Sequence, residues 1–146
     1  MKIKPPVLVG VFLLMAILLH YFLPVARIIY APYNLTGFVF IFAGIFLMSW
    51  TIKLFRKNGT TYRVHEKPRV LVTEGPLRFS RNPIYLGFTL ILLGAAVYLG
   101  TITSFAAPIL FILTINATVI QLEEKKLEAI FGKQYLDYKK RVRRWM

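Results

Sequence analysis

Residues 83–122 read PIYLGFTLILLGAAVYLGTITSFAAPILFILTINATVIQL. Two apolar runs within it, Pro83–Leu99 and Ser104–Leu122, contain no acid and no Lys or Arg, and each approaches the ~20 residues a helix needs to cross a hydrocarbon core. Between them Gly100-Thr101-Ile102-Thr103 leaves room only for a tight hairpin, so the two helices are antiparallel neighbours and the start of the first lies beside the end of the second. Two more apolar runs of similar length come earlier, Val7–Leu23 and Leu35–Ile52. The sequence therefore predicts an all-α integral membrane protein with four transmembrane helices, over about 7–23, 35–55, 83–99 and 104–122. A cytoplasmic loop over 56–82 and a tail over 123–146, carrying a C-terminal amphipathic helix, complete a single membrane domain.

The composition agrees with this reading. Hydrophobic residues fill 57% of the 146 positions while the formal net charge is +13, a combination that suits apolar spans joined by basic loops. A nucleic-acid-binding domain accounts for the charge but not for the apolar runs, so no nucleic-acid partner is expected. No cysteine is present, which excludes disulfides, thiolate metal ligands and a cysteine nucleophile, and no metal site is expected. Of the nineteen Lys and Arg, only Arg27 falls on the side opposite Lys2, Lys4, the central loop and the tail, which predicts that both termini and the loop are cytoplasmic. The first helix is expected to be retained: its run exceeds the usual ~7–15 residues of a signal peptide, and Leu23-Pro24-Val25-Ala26-Arg27 is a poor cleavage site. His20, Tyr21, Tyr30 and Tyr33 read as an interfacial belt, and His65 as solvated.

Gly37 and Gly44 in the second helix, and Gly87 and Gly94 in the third, are spaced so that each pair shares one face. Small residues of this kind let helix backbones approach closely in lipid. The loop from Arg56 to Arg81 is broken by Gly59, Pro68, Gly75 and Pro76 and has the length of a functional or disordered segment. In the tail, Leu127, Ile130, Phe131, Tyr135, Tyr138 and Val142 form a helical stripe with cations on the other faces, the pattern of a basic helix lying along the membrane and interrupted at Gly132. Anionic headgroups among the membrane lipids account for Lys139-Lys140-Arg141 and Arg143-Arg144.

The fourth helix carries polar residues that an inert span would not need. At about 100° per residue Asn116 falls within some 20° of Glu123, and Thr114 and Gln121 form a second such pair. Glu123 and Glu124 stand at the expected C-terminal end of that helix, where the dipole disfavours a carboxylate. Arg78 and Arg81, at the same depth across the hairpin, are the natural counter-charges. Two outcomes are open: plain structural ion pairs, or a polar ligand held between guanidinium and carboxylate with Tyr85 beside it.

Three stretches carry a resemblance. Gly75-Pro76-Leu77-Arg78-Phe79-Ser80-Arg81-Asn82-Pro83-Ile84-Tyr85-Leu86-Gly87, then Glu123-Glu124, then Phe131-Gly132-Lys133-Gln134-Tyr135-Leu136-Asp137-Tyr138-Lys139-Lys140-Arg141-Val142 resemble the isoprenylcysteine carboxyl methyltransferase and phospholipid methyltransferase superfamily. Order and spacing are kept from about Arg69 to Val142. The resemblance implies a small membrane enzyme that moves a methyl group from S-adenosylmethionine to a lipophilic small molecule or lipid through a carboxylate, amine or thiol. It implies Arg69, Val70, Leu71, Val72, Asn82, Pro83, Ile84, Tyr85 and Glu123 as cofactor contacts. Arg78, Arg81 and Glu124 are the catalytic candidates, with Glu124 the nearby base for an amine acceptor.

The chain departs from that pattern at Asn82, where many members have histidine, at Leu77, where the isoprenylcysteine branch has tyrosine, and at Arg143, where proline is frequent. It also has Val119 where the isoprenylcysteine branch places an arginine against its substrate carboxylate. Two other classes stay in view. One is an NADPH-dependent membrane reductase similar to the steroid 5α-reductases and sterol reductases, and the other is a non-catalytic membrane subunit.

Overall fold

The computed structural model describes residues 4–63 and 66–146, so Lys2 and His65 lie outside the described residues. Among the described residues six α-helices follow in order: α1 Pro5–Phe22, α2 Gly37–Lys57, α3 Pro83–Leu99, α4 Ala106–Ile115, α5 Gln121–Phe131 and α6 Lys133–Arg141. Prolines open α1 and α3, where the missing N–H is no loss and the fixed φ favours the first turn. Among the described residues no strand forms beyond an isolated bridge between Arg27 and Thr101. Pro5–Phe22, Tyr33–Lys57 and Ile102–Phe131 are each long and apolar enough to cross a membrane, and α3 is a fourth, shorter apolar helix of 17 residues. Phe22, Phe42, Phe46 and Leu113 project outward, while Ala16, Leu92, Phe111, Ile115 and Ile120 fill the interior.

The paired glycines meet one another. Gly37 lies against the Gly94 carbonyl and Gly44 against that of Gly87, and a Cβ at any of the four would strike the facing helix. Antiparallel α2 and α3 therefore pack backbone to backbone, and α3 is bound more closely to α2 than to its hairpin partner α4.

At the end of the bundle opposite Pro83, Gly100 stops α3 in the left-handed conformation, φ 75°, and donates its N–H to Ala96 O at 2.9 Å. The α1–α2 connection closes over it. Ile28 and Ile29 donate to Gly100 O at 2.8 and 3.1 Å, and Ile102 donates to Ala26 O at 2.9 Å. His20 is more than an interfacial anchor, since its Nδ1 shares a 3.2 Å hydrogen bond with Thr101 Oγ1.

The fourth crossing differs from expectation in length and in phase. No break occurs at residue 122: the rod runs on through α5 to Phe131, because Glu123 to Leu127 are good helix formers and no breaker comes before Gly132. Glu123 and Glu124 therefore sit inside the rod and not at its C-terminal end. Residues Asn116–Ile120 form a wide π turn between α4 and α5. Such a turn takes up one extra residue, so it advances the register of everything that follows.

Gly132, φ 51°, reverses the chain into α6. The apolar stripe of the tail is there, but it is covered by the protein and not by lipid: Tyr135, Tyr138 and Val142 are buried against Leu71, Leu127 and Phe131. Burial raises the pKa of both phenols above the usual tyrosine range. After Val142 the last residues fold back as a strap, and Trp145 rests on the bundle core of Tyr85, Leu92, Phe111 and Val119.

Candidate active site

A cavity of about 850 Å³ opens where the first turn of α1, the end of α2, residues 61–63 and 66–72, the start of α3, α5 and α6 come together. That volume lies within the range of small-molecule pockets. Val7, Met48, Ile52, Phe55 and Phe88 give it walls at the depth of the membrane helices, and Arg81, Tyr85, Glu123 and Glu124 form its polar end. The Tyr85 hydroxyl donates to Glu123 Oε1 at 2.9 Å, which joins α3 to α5.

Glu124 is held from two sides. Arg81 Nη1 approaches its Oε1 at 3.0 Å, and Arg144 Nε and Nη2 donate to Oε1 and Oε2 at 3.0 and 2.7 Å. The Arg144 Nη1 donates to Asn116 Oδ1 at 3.0 Å. The hydrogen bonds to Glu124 raise the pKa of the Arg144 guanidinium further. Here the π turn shows its effect: a straight α-helix would align Asn116 with Glu123, whereas the wider turn aligns it with Glu124 through their shared arginine. The strap is fixed by its backbone as well, with Arg81 N donating to Arg143 O at 3.0 Å and Asn82 Nδ2 and Ser80 Oγ donating to Arg144 O at 3.0 and 3.3 Å. The Asn82 amide is thus engaged with the protein's own tail.

The residues singled out from the sequence divide as follows. Val70, Leu71, Val72, Asn82, Pro83, Ile84, Tyr85, Glu123, Glu124 and Arg81 all line the cavity. Arg69 does not; its backbone N–H donates to Thr60 Oγ1 at 2.9 Å and its side chain is exposed. Arg78 does not meet the glutamates either. It lies on a short 3₁₀ turn, Gly75–Arg78, and lines a separate cleft of about 650 Å³ with Glu74, Tyr138 and Arg141. Glu124, expected as a base, has both carboxylate oxygens engaged by guanidinium groups. Sequence reasoning missed Arg144, which it assigned to lipid headgroups, and the roles of Tyr135, whose hydroxyl accepts from Arg81 Nη1 at 3.4 Å, and of Tyr138, whose hydroxyl donates to Leu77 O at 2.7 Å. Their one sequence signal was the helical spacing of the two tyrosines.

Fold and cavity together define an all-α integral membrane protein with a polar site at one end of its helix bundle. The phospholipid methyltransferase family model matches residues 33–134, and the chain belongs to that family. Over 63 residues it is 44% identical to an uncharacterised protein of Haemophilus influenzae, covering all of that protein and 43% of this chain. It is 36% identical over 77 residues to protein-S-isoprenylcysteine O-methyltransferase B of Arabidopsis thaliana, covering 53% of this chain and 39% of the plant protein. In fold it is similar to a eukaryotic intramembrane isoprenylcysteine carboxyl methyltransferase, with a TM-score of 0.69 and 22% identity, over 97% of this chain and 52% of that one. Relatives in this superfamily are membrane methyltransferases.

Proposed function

We propose that the chain transfers a methyl group from S-adenosylmethionine to a lipophilic acceptor drawn from the bilayer. The observation that carries this reading is the cavity itself, which joins a charged, hydrogen-bonding end to walls contributed by membrane-crossing helices. The residues present suit the cofactor. Glu123 faces the cavity as an acceptor for an ammonium or hydroxyl group, and the buried Nε of Arg81 is a donor with no partner among the described residues. Leu71, Val72 and Leu127 offer apolar surface to a base. We read the whole chain as one membrane unit, with the cavity and both termini cytoplasmic, because every Lys and Arg but Arg27 falls on that side.

When bound, S-adenosylmethionine supplies an electrophilic methyl group on a sulfonium centre. The chain's part is binding, orientation and exclusion of water. Tyr85 and Glu123 fix one another and so fix the polar end of the ligand, while the apolar wall aligns the acceptor with the methyl group. Orientation of this kind is worth roughly 7–11 kcal/mol of barrier in well-arranged reactions. A carboxylate or thiolate acceptor arrives already ionised and needs no base.

The test is binding of S-adenosylmethionine against NADPH by the detergent-purified protein. Binding of S-adenosylmethionine alone is expected; NADPH alone would overturn the reading in favour of a reductase, and neither would favour a non-catalytic subunit. The absence of native cysteine makes orientation directly testable with single cysteines at Tyr33 and Met146, of which only the second is expected to be labelled from the cytoplasm.

A further inference from the structure

Arg81 and Arg144 share a single carboxylate. The side chains of Arg81 and Glu124 are both only 8% exposed while that of Arg144 is 32% exposed, so the surplus positive charge of the trio falls on its outermost member. Arg81 Nε is buried and bonded to nothing among the described residues, although buried donors are nearly always paired. Left alone, a carboxylate and an arginine prefer the two-pronged fork that would engage such a donor. Arg144 prevents it by taking that fork itself, through Nε and Nη2, and leaves Arg81 a single bond to Glu124 through Nη1. Arg144 is absent from the cavity wall, whereas Arg81 is part of it.

We propose that Arg81 receives an anionic group of the bound ligand, a carboxylate or phosphate, and that Arg144 on the C-terminal strap is the positioning residue that keeps Arg81 free to do so. The inference rests on the reading of this cavity as the methyl-transfer site. The anion comes either from the amino-acid end of the cofactor or from the headgroup of the acceptor, and the chemistry at Arg81 is the same in both.

The experiment uses the full chain in nanodiscs and two probe pairs, S-adenosylhomocysteine with its decarboxylated analogue and oleate with oleyl alcohol. Wild type is expected to prefer the carboxylate-bearing member of one pair. Arg144→Gln is expected to reduce that preference about tenfold while leaving unchanged the affinity of the member without the carboxylate, and Arg144→Lys to recover part of it. Loss on the first pair assigns the anion to the cofactor, and loss on the second assigns it to the acceptor. An unchanged preference in Arg144→Gln, an equal loss for both members of a pair, or binding of no probe to wild type overturns the proposal. Should Arg144→Gln fail to fold, Arg144→Lys, which keeps the charge and loses the fork, is expected to show a smaller loss of the preference, and an unchanged preference in it overturns the proposal. If neither adenosine probe binds while the oleate preference follows Arg144, the methyl-transfer reading fails and the anion site stands.

Discussion

The Tyr85 hydroxyl donates to Glu123 Oε1 at 2.9 Å and links the first turn of α3 to the rod that follows the π turn. Both residues line the cavity. Glu123→Ala and Tyr85→Ala are expected to weaken S-adenosylhomocysteine binding at least tenfold, well beyond any loss of folding, while Tyr85→Phe costs about 1 kcal/mol through the one lost hydrogen bond. Calorimetric titration in detergent reads this directly. Normal binding by both alanine variants would show that the cofactor contacts lie elsewhere.

The backbone contact of α2 with α3 sets a second expectation. Gly94→Ala places a methyl group against the Gly37 carbonyl and the Ile41 backbone, and should cost roughly 1–3 kcal/mol as an overpacked interface. Gly10→Ala, with no atom within 4 Å of the added carbon, serves as the control. A thermal melt in which the two variants lost stability equally would contradict close packing at this interface.

Deleting Ala117, an exposed residue of the π turn, should close the turn to α-helical pitch and leave Glu124 seven positions after Asn116, within about 20° of it. Arg144 then keeps access to both Asn116 and Glu124. Ligand binding is expected to survive the deletion, whereas one alanine inserted after Ala117 rotates α5 by about 100° against α4 and should abolish binding while circular dichroism stays helical. Loss of binding on deletion, or binding that survived the insertion, would mean that the register of this turn does not build the site.

Tyr138 donates to Leu77 O at 2.7 Å, and burial raises its pKa. A phenol whose folded-state pKa lies above its unfolded value of about 10 contributes stability that is fully present below that pH and is lost as pH rises through the folded value. Tyr138→Phe should therefore lose about 1 kcal/mol at neutral pH, and its disadvantage should shrink above pH ~10. Melting temperatures taken from neutral to strongly alkaline pH test this; a gap that widened with pH would reverse the sign.

Much of this architecture is legible in the chain. The glycine pairs are seven residues apart, and that spacing places them on one face whatever they meet, so the α2–α3 contact follows once a partner is found. Apolar periodicity marked Tyr135, Tyr138 and Val142 in the same way, yet periodicity says only that a face is covered and not by what; the cover proved to be Leu71, Leu127 and Phe131. Arg78 and Arg81 are three residues apart and looked equivalent, but the 3₁₀ turn ending at Arg78 sends them to different cavities. The π turn and the Arg144 network stayed hidden for separate reasons. No local propensity distinguishes a π turn from an α turn in an apolar stretch, and the strap meets Ser80 and Asn82 across more than sixty intervening positions.

The 17 residues of α3 bear on the bilayer as well as on the protein. At 1.5 Å per residue they span about 26 Å, short of a hydrocarbon core of about 30 Å. Along the helix only Tyr98 is exposed, so neighbouring helices and not lipid surround it, and its short reach is made up inside the protein. The level of Tyr85 is thereby set by the packed bundle, which leaves bilayer thickness little leverage on the site.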